Sequence, residues 1–140
     1  MGKTMLIIAL LLTACSPANP FTDVEPGVIG MTEIDQVSYA DSEPRLFTAS
    51  SIAEQEDFPE ALRGPRDVAQ QVLMVWCDSN DFTLADRYSN GTTLFLTVLR
   101  SPGEGRCRLW ASPRAQLQGV TGVIVQDIDE QTLEVGYLFP

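Results

Sequence analysis

The sequence predicts an α+β domain in which short N-terminal helices precede an antiparallel β-meander, with one disulfide. Three observations lead to this class. An apolar stripe at helical spacing precedes Cys77, segments of alternating hydropathy follow Phe82, and Asn, Gly and Pro residues divide those segments. A helical layer packed on a sheet is the expected arrangement for helices followed by strands.

The helices are predicted from capping and periodicity. Ser51 and Glu54 fit a capping box, and Pro65 suits the first position of a second helix. The apolar stripe of that second helix consists of Val68, Val72, Leu73, Val75 and Trp76. Because residues 72–77 also form a continuous apolar run, a buried strand that begins at Gln71 is the competing interpretation.

The strands are predicted from turn signals. Asn90 and Gly91 form a pair that supplies the positive φ angles of a tight hairpin. The strand segments around this pair and beyond it are 82–88, 92–99, 107–111, 120–127 and 133–139. Their order along the chain predicts the meander.

The N-terminus carries a targeting pattern. Lys3 precedes an apolar run that ends in Leu12, Thr13, Ala14 and Cys15. The run is shorter than the roughly 17 to 25 residues that a membrane span requires. A charged start, an apolar centre and small residues at the end are typical of a secretory signal. With its cysteine, the pattern resembles the lipobox of bacterial lipoproteins.

In that family the signal is cleaved before the cysteine, whose thiol is diacylated. The resemblance therefore implies a signal peptide at residues 1–14 and acyl chains, such as palmitate, on Cys15. Ser16 follows Cys15, where an aspartate would favour inner-membrane retention in enterobacterial lipoproteins. By the same resemblance the protein lies on the periplasmic face of the outer membrane, with the inner membrane as the alternative.

The mature chain is expected to have two parts. Residues 15–45 are rich in proline and acidic side chains and predict a tether, although 28–39 is apolar enough to dock on the domain or on a partner. Residues 46–140 then form one small periplasmic domain.

Composition narrows the function classes. Nineteen acidic residues against nine basic ones give a net charge of −10, which disfavours nucleic acid as a partner. The sequence contains no histidine, so serine–histidine triads, histidine-ligated zinc and c-type haem attachment are excluded. Nucleophile-elbow and phosphate-loop motifs are also absent from the sequence. We therefore expect a non-catalytic protein without a cofactor or metal.

Cysteine usage predicts the disulfide. With Cys15 lipidated, Cys77 and Cys107 remain in an oxidising compartment and are expected to bond to each other, joining the helical layer to the sheet. A redox pair or a soft-metal site is the alternative, although neither a C-x-x-C spacing nor a third ligand is present.

One stretch of sequence is a candidate partner-binding site. Arg100, Arg106 and Arg108 are the densest basic residues of this acidic chain, and the neighbouring strand, which contains Phe95, is apolar on both faces. An apolar centre with an arginine rim is typical of protein-binding surfaces. Pairing of these arginines with the chain's own acidic residues is the alternative.

These features predict a membrane-anchored periplasmic lipoprotein that acts as a non-catalytic binding or assembly accessory of the cell envelope, with an envelope protein as its partner. The alternative is an inhibitor of a cell-wall hydrolase such as lysozyme. The Asn90-Gly91 hairpin, the disulfide and the anchor are similar to those of membrane-bound lysozyme inhibitors, whose serine- and glycine-rich inhibitory loop is absent here. A less favoured alternative is an enzyme that uses carboxylates alone.

Overall fold

The computed structural model describes residues 27–51, 53–64 and 66–138. The predicted signal peptide and Cys15 lie outside these residues. Over the described ranges the protein is a β-sandwich of two four-stranded sheets, with 3-10 turns but no α-helix. The predicted α+β class is therefore wrong.

The first sheet is antiparallel throughout. It consists of β1 (Thr32–Ser38), β2 (Arg45–Ala49), β3 (Gln71–Asp78) and β6 (Arg106–Pro113), in the order β1-β6-β3-β2. Strand β1 lies within residues 15–45, which were predicted to form a tether. Residues 32–38 are instead part of the sheet.

The second sheet is mixed. It consists of β4 (Asp81–Ser89), β5 (Thr93–Ser101), β7 (Gly122–Gln126) and β8 (Thr132–Tyr137), in the order β4-β5-β7-β8. The hairpin at Asn90-Gly91 and the β7–β8 hairpin are confirmed, and Gly91 has a φ of 102°. The predicted meander is wrong, because β6 pairs in the first sheet and β7 runs parallel to β5.

Strand β3 is the segment for which helix and strand were both considered, and it is a strand that begins at Gln71. Its even-numbered residues face the core between the sheets, whereas Leu73, Val75 and Cys77 face a second core. A strand buried on both faces loses the alternation that identifies strands. The same residues therefore also fit a helical stripe, which is why the predicted helix was wrong.

The second core lies on the outer face of the first sheet, the face turned away from the second sheet. The segment 50–68 crosses this face and buries Phe58 and Leu62 completely against it. In that segment the predicted first helix is replaced by the 3-10 helix Ala53–Asp57. The Ser51 Oγ accepts from the Glu54 backbone N–H at 3.3 Å, as a capping box requires, but the Glu54 carboxylate accepts from Ser50.

The disulfide between Cys77 and Cys107 is confirmed, with an S–S distance of 2.06 Å. The two cysteines are directly opposite each other on β3 and β6. The bond therefore joins adjacent strands of one sheet, not a helix to a sheet as predicted, and it forms part of the second core.

Candidate binding surface

The structure separates Phe95 from the three arginines of the predicted partner site and brings those arginines together at one end of the sandwich. Phe95 occupies an outward register position on β5, on the face of the second sheet that turns away from the first sheet. Arg100 occupies an inward position on the same strand. Arg106 and Arg108 lie on the inward face of β6, in the first sheet. The turn after β5 carries the chain from one sheet to the other. Arg100 is therefore in a different sheet from the other two arginines, although it is near them in sequence.

Arg100 is bound by a buried carboxylate. Its Nε donates to Oδ2 of Asp78 at 2.6 Å, and the same oxygen accepts from Trp76 Nε1 at 3.1 Å. The Asp78 side chain has no exposed surface, whereas that of Arg100 is 33% exposed. Burial of an ionised carboxylate requires such partners, so this guanidinium is a structural counter-ion.

Arg108 joins three strands. Its Nη1 donates to both carboxylate oxygens of Glu33 in β1 at 3.1 Å, and its Nη2 donates to Asp81 Oδ1 in β4 at 3.0 Å. Its guanidinium also lies over the Phe82 ring, 5.5 Å from the centroid. These contacts hold together one end of the sandwich.

Asp81 is shared between two arginines. The carboxylate accepts from the Phe82 backbone N–H at 2.8 Å and lies 3.5 Å from Arg106 Nε. That backbone hydrogen bond, followed by the Arg108 guanidinium, holds the pKa of Asp81 below its ordinary value. Arg106 also donates to Gln36 Oε1 in β1 at 2.9 Å. The three arginines are thus engaged by side chains of this protein.

The outward face of the second sheet carries a different arrangement. Tyr88 is opposite Phe95, Phe95 is opposite Ile124, and Ile124 is opposite Val135. We refer to these four residues, one from each strand, as the apolar row. Tyr88 is 44% exposed and Val135 49% exposed, and Tyr137, two residues beyond Val135, is 63% exposed. A continuous apolar line across an exposed sheet face is a candidate binding surface.

The inward neighbours of the row explain why it is exposed. Leu94, Leu96, Val123 and Val125 point between the sheets and are completely buried. Because side chains alternate along a strand, the residues between them must face outward. The next row along the face is polar, and Gln126 Nε2 donates to Thr97 Oγ1 at 3.2 Å.

Sequence reasoning found Phe95, because β5 is apolar on both faces, but it missed Tyr88, Ile124 and Val135 as its neighbours. The alternation in β8 was visible in the sequence. The pairing of β5 with β7 was not, because these parallel strands are separated by β6 in the chain and β6 belongs to the other sheet.

Two familiar features are absent from the described residues. Within 27–51, 53–64 and 66–138, no three metal-ligating side chains are grouped so that they could hold an ion. The same ranges contain no helix long and apolar enough to cross a membrane. Comparison of the chain with protein-family models, with curated proteins and with solved structures finds no match.

Proposed function

We propose that the protein is a lipid-anchored periplasmic lipoprotein of the outer membrane, and that it acts as a non-catalytic binding or assembly accessory of the cell envelope. We further propose that the apolar row is its partner-binding surface. The observation that carries this proposal is the alignment of Tyr88, Phe95, Ile124 and Val135 on one outward line, with exposed residues at its two ends and half-buried ones between them.

The chemistry of the row suits a protein partner. Protein interfaces are enriched in tyrosine and phenylalanine at their centres, because these side chains bury much apolar surface for few rotatable bonds. Two of the four residues are aromatic and two are β-branched. Such side chains have few accessible rotamers before a partner binds. Binding there costs little side-chain entropy.

The arginines are not part of this proposed surface. Arg100 and Arg108 are hydrogen-bonded to Asp78, Glu33 and Asp81, and a partner that took these guanidinium groups would leave those carboxylates unpaired. For the buried Asp78 that loss is costly. The apolar row meets a partner without breaking any of these ion pairs.

The lipid anchor rests on the lipobox resemblance at residues 12–15. Replacing Cys15→Ser removes the thiol that is acylated in lipoproteins. We expect the native protein to partition into the detergent phase of a detergent extraction and the variant to remain in the aqueous phase. A variant that still partitions with detergent would contradict lipidation at Cys15.

The binding surface can be tested in cells of the native host by photo-cross-linking. A benzophenone amino acid at position 137 lies beside the row, and we expect it to give a defined adduct with one envelope protein. The double variant Phe95→Ser and Val135→Ser should remove that adduct, because it replaces half of the row with small polar side chains.

The matched control is Ile34→Ser, which removes a side chain that is 42% exposed on the first sheet. The control should leave the adduct intact. If the adduct does not form, or if it persists at full yield in the double variant with the same accumulation of protein, the apolar row is not the binding surface.

A further inference from the structure

Acidic side chains lie on one side of the apolar row, at the end of the sheet where Thr97 and Gln126 follow Phe95 and Ile124. Asp86 takes the outward position opposite Thr97, two residues before Tyr88 on β4. Across the sheet at the same end, the β7–β8 turn carries Asp127, Asp129 and Glu130. We refer to Asp86 and these three turn residues as the acidic rim.

The turn also exposes an apolar side chain. Ile128 lies between two of the rim carboxylates and is 59% exposed. Asp127 has a role within the turn, because its Oδ1 accepts from the backbone N–H groups of Asp129 and Gln131 at 2.9 and 3.0 Å. Asp129 and Glu130 are exposed and their carboxylates face solvent.

No arginine balances this rim on the outward face of the four strands. Within the second sheet, Arg87 is opposite Leu96 and Arg100 is opposite Phe82, and both positions face inward. The other arginines of the described residues belong to the first sheet or to the segments that adjoin its strands. The four strands therefore present an apolar line with negative charge along one side and no arginine on the same face.

We infer that this surface binds a protein segment that is apolar at its centre and cationic at its flanks. The inference rests on the proposed function and adds the chemistry of the partner. Lysine or arginine side chains that flank an apolar segment would be attracted to Asp86 near the β4 end of the row and to Asp129 and Glu130 in the β7–β8 turn. Such charge complementarity increases the association rate and disfavours partners of the wrong sign.

A second copy of this chain is disfavoured on the same surface. Two copies that met on this face would each have a net charge of −10. Like charges across an interface oppose association. Charge therefore favours a basic partner over self-association.

The length of the segment follows from sheet geometry. Four strands at their usual spacing place the ends of the row about 14 Å apart. An extended peptide covers that distance with about five residues. A probe of seven residues therefore spans the row and leaves a residue beyond each of its ends.

The test uses the full oxidised chain in neutral detergent and two fluorescently labelled peptides, Lys-Lys-Trp-Val-Leu-Lys-Lys and its counterpart with glutamate at each lysine position. Fluorescence anisotropy measures the dissociation constant of each. We expect the lysine peptide to bind at least tenfold more tightly than the glutamate peptide. We also expect its affinity to fall several-fold when NaCl is raised from about 50 to about 500 mM.

Two triple variants locate the effect. Asp86→Asn, Asp129→Asn and Glu130→Gln together neutralise three rim charges and leave the turn acceptor Asp127 in place. Glu56→Gln, Asp57→Asn and Glu60→Gln remove three exposed charges from the segment that covers the first sheet. The rim variant should bind the lysine peptide about tenfold more weakly, whereas the control variant, which has the same net charge, should bind it as the native protein does.

The outcomes separate the two proposals. Equal affinity for both peptides, or equal weakening in both triple variants, would overturn the inference of a cationic partner. Tighter binding of an uncharged chitooligosaccharide that is unaffected by the rim variant would overturn it in favour of a glycan. In each case the cross-linking result still decides the proposed function by itself, because it depends on Phe95 and Val135 and not on charge.

Discussion

The outer faces of the two sheets differ in what covers them. On the first sheet, Leu73, Val75 and Leu109 are completely buried because residues 50–68 cross that face. On the second sheet, the apolar row is left in contact with solvent. The covered face is apolar along β3 and β6, whereas the outward face of the second sheet carries a polar row with Thr97 and Gln126 beside the apolar one. The covering segment completes a core on the first sheet, and the apolar row of the second sheet stays at the surface.

The two outer faces also differ in how much their side chains contribute to the stability of the fold. Burial of Phe58 and Leu62 on the first sheet contributes to the stability of the folded chain, since each removes a large apolar side chain from water. The exposed parts of Tyr88 and Val135 contribute little to stability. Apolar side chains that do not stabilise the fold remain available to contact a partner.

The largest loss of folding stability is expected from Phe58→Ala. Phe58 is completely buried and packs edge-on against Phe47, with ring centroids 6.2 Å apart. Its removal leaves a cavity over the first sheet, and we expect the free energy of unfolding to fall by about 3 to 5 kcal/mol. Urea denaturation followed by circular dichroism measures the change. A loss below about 1 kcal/mol would mean that segment 50–68 does not seal a core.

A comparable or smaller loss of folding stability is expected when the disulfide on the same covered face is removed. Replacing Cys77→Ala and Cys107→Ala together opens a loop between residues that are 30 apart in sequence. The chain-entropy model gives a loss of about 3 to 4 kcal/mol. Urea titration of the double variant and of the native protein under oxidising conditions measures the change. Native stability in the double variant would show that the strand pairing of β3 with β6 alone holds this region.

The smallest change in folding stability is expected from a substitution in the apolar row, on the outward face of the second sheet. Val135→Thr keeps the β-branched shape and changes only an exposed methyl group, so we expect the free energy of unfolding to change by less than about 0.5 kcal/mol. The same titration compares it with Val75→Thr, which places a hydroxyl in the covered core and should cost at least about 1 kcal/mol. Equal losses would show that the apolar row is covered in solution, which would contradict its assignment as a free surface.

Local chemistry was enough to predict several elements from the sequence. Gly91 supplies the positive φ of the hairpin turn, Asn90 Oδ1 accepts from the backbone N–H groups of Thr92 and Thr93, and strands form on both sides as predicted. The partners Cys77 and Cys107 followed from the count of cysteines and the predicted compartment. The Ser51 half of the capping box is a contact between residues three apart. Each of these depends on neighbours along the chain or on composition.

Only the tertiary structure decided the state of β3, the partners of Arg108 and the composition of the apolar row. Residues 72–77 fit the predicted helical stripe and also the competing strand, and burial on both faces selected the strand. Arg108 acquired Glu33 and Asp81 because β1 and β4 lie on either side of it in space. The apolar row required the parallel pairing of β5 with β7, which no short-range signal encodes. Register between distant strands is set by how all the apolar faces are buried together, so the candidate site emerges only when the whole sandwich is assembled.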